Sequence, residues 1–182
     1  MLENMLTAPS GKLPFDAYME IAGMPGESTE SKHKGWVEIK GYRHQVSQKI
    51  SASFSSGAPT GGDAEHGFFW VCKEFDSTSP KLQLALSKGD HIPDVKVDFC
   101  TQTGEKATFL TIKLTDVVVG ALYTSDASFP AGTEGIAFTK PCEWLGWAYS
   151  RIEWTYTIMD PKTGASKGNV TSFWDRSDRT GG

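Results

Sequence analysis

The stretch Arg151-Ile152-Glu153-Trp154-Thr155-Tyr156-Thr157-Ile158 alternates apolar and polar side chains without a break. A period of two places Ile152, Trp154, Tyr156 and Ile158 on one face of a strand and Glu153, Thr155 and Thr157 on the other. A helix would scatter the same residues around its circumference. The segment therefore predicts a strand with its Trp-bearing face in a core.

Working outward, the same alternation recurs in Leu110, Ile112 and Leu114, in Val95, Val97 and Phe99, in Val37 and Ile39, and in Ala17, Met19 and Ile21. Five or more half-buried strands are implied. Phe68-Phe69-Trp70-Val71-Cys72 is apolar on both faces, so one of its faces needs a second cover. If a neighbouring subunit supplies it, Phe68, Phe69, Trp70 and Val71 are candidates for a subunit interface. Gly23-Met24-Pro25-Gly26, Gly57-Ala58-Pro59-Thr60-Gly61-Gly62, Thr103-Gly104 and Pro161-Lys162-Thr163-Gly164 punctuate the strands, the first two as loops too long for tight hairpins.

One helix is predicted. Ser79 suits the N-cap, Pro80 the first helical position and Gly89 the residue just past the end. Leu82, Ala85 and Leu86, at i, i+3 and i+4, form its docking face. The expected fold is mainly β: a β-barrel or two-sheet sandwich with one short flanking α-helix.

A chain of 182 residues with 38% hydrophobic and 22% charged residues has the composition of a globular domain. The formal net charge of −4 and the absence of a basic block argue against nucleic acid, whose phosphates require clustered Lys and Arg. Apolar runs such as Val117 to Leu122 are far shorter than the roughly 20 residues of a membrane-spanning helix. Glu3 stands where a secretory signal would carry basic residues, so no cleaved signal peptide is expected. Cys72, Cys100 and Cys142 are odd in number and lack a C-x-x-C pair, which favours reduced structural thiols.

The sharpest chemical constellation is Asp63, Glu65 and His66 followed by Cys72. It could ligate zinc or let His66 activate the thiol, yet the spacing equally suits an acidic loop running into a strand. Asp94 and Asp98 share a strand face but read as solvated charges. No catalytic residue, metal site or cofactor is expected. Trp144 and Trp147 are open among core, subunit interface and a sugar-stacking surface.

Several stretches, taken in order, resemble the haemolysin-coregulated protein (Hcp) family. Phe15-Asp16-Ala17-Tyr18-Met19-Glu20-Ile21-Ala22-Gly23-Met24-Pro25-Gly26-Glu27-Ser28 is similar to the family's opening strand and turn, His33-Lys34-Gly35-Trp36-Val37-Glu38-Ile39 to its second strand, and Val46-Ser47-Gln48 to the V-S-Q beyond that strand. Asp76-Ser77-Thr78-Ser79-Pro80-Lys81-Leu82 and Lys88-Gly89-Asp90-His91-Ile92-Pro93 resemble its helix and exit, Arg151-Ile152-Glu153-Trp154-Thr155-Tyr156 its I-E-W strand, and Phe173-Trp174-Asp175 its C-terminal W-D. Residues 1–14 read as an N-terminal extension before one domain spanning 15–182, with no appended toxin domain.

The resemblance implies a non-enzymatic structural subunit of the type VI secretion tube. Its homohexameric rings would stack into tubes, work with a spike protein and a contractile sheath, and carry effectors in the lumen. The protein would be made in the bacterial cytoplasm and secreted without a signal peptide. A ring fits Trp144 and Trp147 as further interface candidates beside Phe68 to Val71. Two loops of mixed charge, from Met24 to His33 and from Ser55 to Glu65, would then make stacking contacts, with Glu27, Glu30, Lys32, Lys34, Asp63 and Glu65 meeting opposite signs on the next ring.

Overall fold

A computed structural model describes residues 15–51, 60–102, 106–125 and 138–182. The expected N-terminal extension, the tip of the loop around Gly57 and the Thr103-Gly104 turn lie wholly or partly outside them.

The strands are β1 (Phe15–Ile21), β2 (Val37–Ile39), β3 (Gly41–Arg43), β4 (Val46–Ser51), β5 (Thr60–His66), β6 (Phe69–Glu74), β7 (Ile92–Thr101), β8 (Thr108–Ser125), β9 (Cys142–Met159), β10 (Ser166–Asp175) and β11 (Thr180–Gly181), with helix α1 (Ser79–Lys88) between β6 and β7. Among the described residues, nine strands form one antiparallel sheet in the order β11-β10-β9-β8-β7-β1-β2, with β6 on β9 and β3 on β6; β4 and β5 form a separate ribbon. The sheet does not close on itself among the described residues, so of the two expected architectures the closed barrel is not the one they adopt. The stretch from Thr60 to His66, read from sequence as loop, is strand β5.

The long strands β8 and β9 pair along most of their length, Leu110 opposite Tyr156 at one end and Ser125 opposite Cys142 at the other. On the far edge of β9, β6 covers Cys142 to Trp147 and β10 covers Arg151 to Met159. The sheet therefore forks at Tyr149, between the two partners. Both long strands change their inward face at this fork. In β8 the buried residues pass from Ile112 and Leu114 to Val117 and Val119, and in β9 from Leu145, Trp147 and Tyr149 to Ile152. Asp116 makes the switch with φ 50°, a left-handed conformation that Asp tolerates because its short side chain bonds locally. Here Asp116 Oδ2 accepts from Ser150 Oγ at 2.7 Å, and Oδ1 lies 2.7 Å from His91 Nδ1.

The core combines Met19, Val37, Phe69, Val71, Val97, Phe99, Leu114, Leu145, Trp147 and Ile152 with Leu82 of the helix. Leu82 and Ala85 are buried and Leu86 is half-buried against the same cluster. The N-cap is Thr78, one residue before the position read from sequence, and it makes no side-chain cap bond. Ser79 is drawn elsewhere: its hydroxyl donates to Glu143 Oε1 at 2.7 Å. Gly89 ends the helix at φ 70°, a conformation that spares glycine the Cβ clash other residues meet.

Candidate functional site

The two faces of β6 divide what the sequence presented as a single apolar run. Phe69 and Val71 are fully buried within the protomer and have no surface to offer a neighbour. The same holds for Trp147 on β9. These three therefore leave the set of interface candidates. Phe68, Trp70 and Trp144 retain exposed surface. Phe68 and Trp70 meet edge to face at 5.7 Å, and Trp70 stacks on Tyr123 at 5.6 Å. They lie over a glycine floor: a Cβ on Gly120 would fall 2.7 Å from Phe68, and one on Gly146 3.0 Å from Trp70. The two glycines thus let an aromatic strip lie flat on the outside of the sheet.

A second apolar patch lies at the far end of β9. Tyr156 and Ile158 are about half exposed, and Val170, the register partner of Tyr156 on β10, is more so. The alternation placed Tyr156 and Ile158 in the core with Ile152, but only Ile152 is buried there and both of the others are exposed. Beyond Trp154, none of the described residues covers that face.

The β4–β5 ribbon stands away from the main sheet, with Val46 to Ile50 and Gly61 to Glu65 all exposed. Asp63 pairs with Arg179 at 2.8 Å and Glu65 with Lys49 at 2.6 Å. At the base of the ribbon, Tyr149 Oη lies 2.7 Å from His44 Nε2 and 3.0 Å from His66 Nδ1. Burial, reinforced by His66 and Arg176, holds the His44 imidazole down at about 4, and burial with Arg176 also lowers His66. Burial raises the Tyr149 phenol to about 12, against the opposing pull of Arg176.

The other charged loop does not stand free. His33 is buried, stacked on Tyr18 at 4.5 Å, with Nδ1 2.7 Å from Glu30 Oε2 and Nε2 3.1 Å from Asp98 Oδ2. Partial burial opposes ionisation of Glu30, but bonds from His33, Ser31 and the Lys32 backbone outweigh it and hold the carboxyl at about 2. Lys32 Nζ donates to the carbonyl of Lys106 at 2.8 Å. Glu27 accepts from the Ser77 amide at 2.9 Å, and Lys34 is exposed. The segment is pinned over β1 and β7, with Glu30 serving as a clamp.

The residues that suggested metal or nucleophile chemistry do not converge. His66 faces Tyr149, Asp63 and Glu65 hold their own cations, and Cys72 is buried beside Cys142, its thiol raised by burial and by that neighbour. Among the described residues no three His, Cys, Asp or Glu side chains are grouped to hold a metal ion. No helix among them is long and apolar enough to cross a membrane.

One buried group escaped the sequence reading. Lys73 Nζ lies 2.8 Å from both Glu143 Oε1 and Asp76 Oδ1 and donates to Ser79 Oγ at 3.1 Å. Charges on alternating strands read as solvated, and only the depth of β6 beneath the helix N-terminus changes that.

A family model described as "Type VI secretion system effector, Hcp" matches residues 18–156. The "Major exported protein" of Pseudomonas aeruginosa is 26% identical over 135 residues, covering 73% of this chain and 76% of that one. Among solved structures, one titled as a type six secretion system protein superposes with a TM-score of 0.82 at 27% identity, covering 92% of this chain and 99% of the other. Hcp1 from Salmonella typhimurium shares the fold at a TM-score of 0.71 and 20% identity, covering 93% and 99%. With a match over most of its length, the chain belongs to the Hcp family, the structural subunits of the type VI secretion tube.

Proposed function

We propose that this tube subunit closes into a homohexameric ring through its two exposed apolar patches and stacks ring upon ring through the β4–β5 ribbon. The observation that carries the reading is the presence of two different apolar patches on one protomer. Phe68, Trp70 and Tyr123 form one, and Tyr156, Ile158 and Val170 the other. A head-to-tail contact joins unlike surfaces, and repeating it about an axis closes a ring. Trp144 borders the first patch as register partner of Tyr123. The ribbon, bearing Lys49, Asp63 and Glu65 on exposed strands, offers mixed charge to an adjacent ring.

The role needs no catalytic residue and no cofactor. A spike protein, a contractile sheath and lumenal effectors are the partners of such a tube. Synthesis in the cytoplasm and export by the type VI machinery without a signal peptide complete the reading. Light scattering on the purified protein tests ring closure: a mass near six times 19.9 kDa is expected, and a monomer at all concentrations would refute it.

A further inference from the structure

We infer that His44, Tyr149 and His66 form an acid-labile latch that holds the β4–β5 ribbon against the fork in the main sheet. The ribbon is tied to the sheet at few points. Its strands are exposed on both faces, and its side-chain attachments in the described structure are this trio, the stacking of His66 on Trp174 at 6.4 Å, and the exposed Asp63–Arg179 pair. His44 comes just after β3 and His66 ends β5, so the two imidazoles flank the chain where it enters and leaves the ribbon. Both reach one phenol in the gap between the stretch of β9 that β6 covers and the stretch that β10 covers.

Hydrogen-bond arithmetic makes the trio depend on neutral rings. A phenol has one proton to donate and lone pairs to accept. With both imidazoles neutral, Tyr149 donates to one ring nitrogen and accepts from the other, and all three partners are satisfied. When the accepting ring gains a proton it becomes a second donor, and the phenolic hydrogen loses its partner in a site where Tyr149 is 4% exposed.

Charge acts in the same direction. The His44 and His66 rings lie 6.2 Å apart, and Arg176 sits over the Tyr149 ring at 5.3 Å while donating to the Tyr149 carbonyl. A proton on either ring therefore enters a cationic corner. Asp63 and Glu65 on the ribbon are already paired with Arg179 and Lys49.

These shifts fix the direction in pH. An imidazole freed from the latch titrates near 6.5, whereas in the latch His44 titrates near 4 and His66 is lowered. The latch is intact above the free value and is lost as pH falls from there towards the latched value. A released two-stranded ribbon is marginal on its own, so its amide protection must fall with it. Resting on the stacking role proposed above, the latch makes ring-to-ring contact sensitive to acid while leaving ring closure, which uses other surfaces, intact.

Hydrogen exchange by mass spectrometry on the full chain tests this between pH 7 and pH 4.5, after correction for intrinsic rates. Protection of residues 46–51 and 60–66 is expected to fall at least tenfold while that of β7, β8 and β9 holds. In His44→Gln/His66→Gln, which keeps polar side chains and the Asp63–Arg179 pair, ribbon protection should be independent of pH over the same range. NMR titration of the wild-type imidazoles gives a readout that needs no variant, with His44 titrating well below 6.5. A wild-type change of less than twofold, an equal fall in the variant, or His44 titrating at its free value would overturn the latch. If the ribbon loosens while sedimentation of assembled tubes is unchanged, the latch stands and the stacking role of the ribbon falls.

Discussion

Lys73 and Glu143 face each other across β6 and β9 as register partners, with Nζ 2.8 Å from Oε1, and neither side chain has any solvent exposure. A buried pair of this kind gives little net stability over apolar residues of the same shape, but losing one member leaves a charge stranded. Lys73 also serves Asp76 and Ser79 at the helix entrance. Lys73→Met is expected to cost about 3 to 5 kcal/mol in chemical denaturation. Lys73→Met/Glu143→Leu should recover a large part of that loss. Equal losses in the single and double variants would mean that the ion pair is not what the strands gain from these residues.

Asp76 gives the same cluster a pH dependence. Burial works against its ionisation, yet the Lys73 and Thr78 bonds prevail and hold its carboxyl below the ordinary value of 3.8. A lowered carboxyl stabilises the fold above its unfolded value and loses that contribution as pH falls through the folded one. Acid unfolding of Asp76→Asn should therefore be shallower than that of the parent below about pH 4. Parallel acid-unfolding curves would exclude Asp76 as a contributor.

The helix is expected to be a stability element. With Leu82 fully buried, Leu82→Ala should cost about 2 to 5 kcal/mol in denaturant unfolding. A loss under about 0.5 kcal/mol would place the side chain on an unconfined surface.

Ring closure should be sensitive to both apolar patches and insensitive to the core positions between them. Phe68→Ser/Trp70→Ser and, separately, Tyr156→Ser/Val170→Ser should each give folded monomers by light scattering, with circular dichroism unchanged. Mixing the two variants should form single dimers through the surviving pair of patches, because a head-to-tail contact needs one good surface from each partner. Rings persisting in either variant would remove that patch from the interface.

Charge on the ribbon and charge on the pinned loop should separate. Asp63→Ser/Glu65→Ser is expected to leave hexamers intact while reducing tube assembly and secretion. Lys32→Ser/Lys34→Ser should do less, since Lys32 is committed to the Lys106 carbonyl. Individual exposed pairs are worth about 0 to 1 kcal/mol, so any effect must come from their repetition around the ring. Normal secretion and salt-independent assembly in both variants would end the charge-guided account.

Most of the strand framework was legible because alternation survives wherever one face meets the core. The register bears this out in detail: Ile112 pairs with Trp154 and Leu114 with Ile152, the residues the pattern placed on one face. The switch of faces at Asp116 was hidden, because Val117-Val118-Val119 reads as apolar in either register. Phe69 and Val71 could not be told from Phe68 and Trp70 by hydrophobicity, since the outer face of β6 carries aromatics of its own. Only the three-dimensional cover separates core from patch. Lys73 and Glu143 were missed for a related reason: nothing local distinguishes a charge that will be paired at depth from one left in water. The His44–Tyr149–His66 contact joins residues more than eighty positions apart, and no spacing rule reports it.

The central claim is that this protomer is built to close into a ring and repeat along an axis. Negative-stain electron microscopy of the purified full chain tests it most directly. The account predicts six-lobed rings with a central hole in end-on views, and stacked striated tubes at higher concentration. A uniform field of single compact particles, with no rings at any concentration, would contradict it.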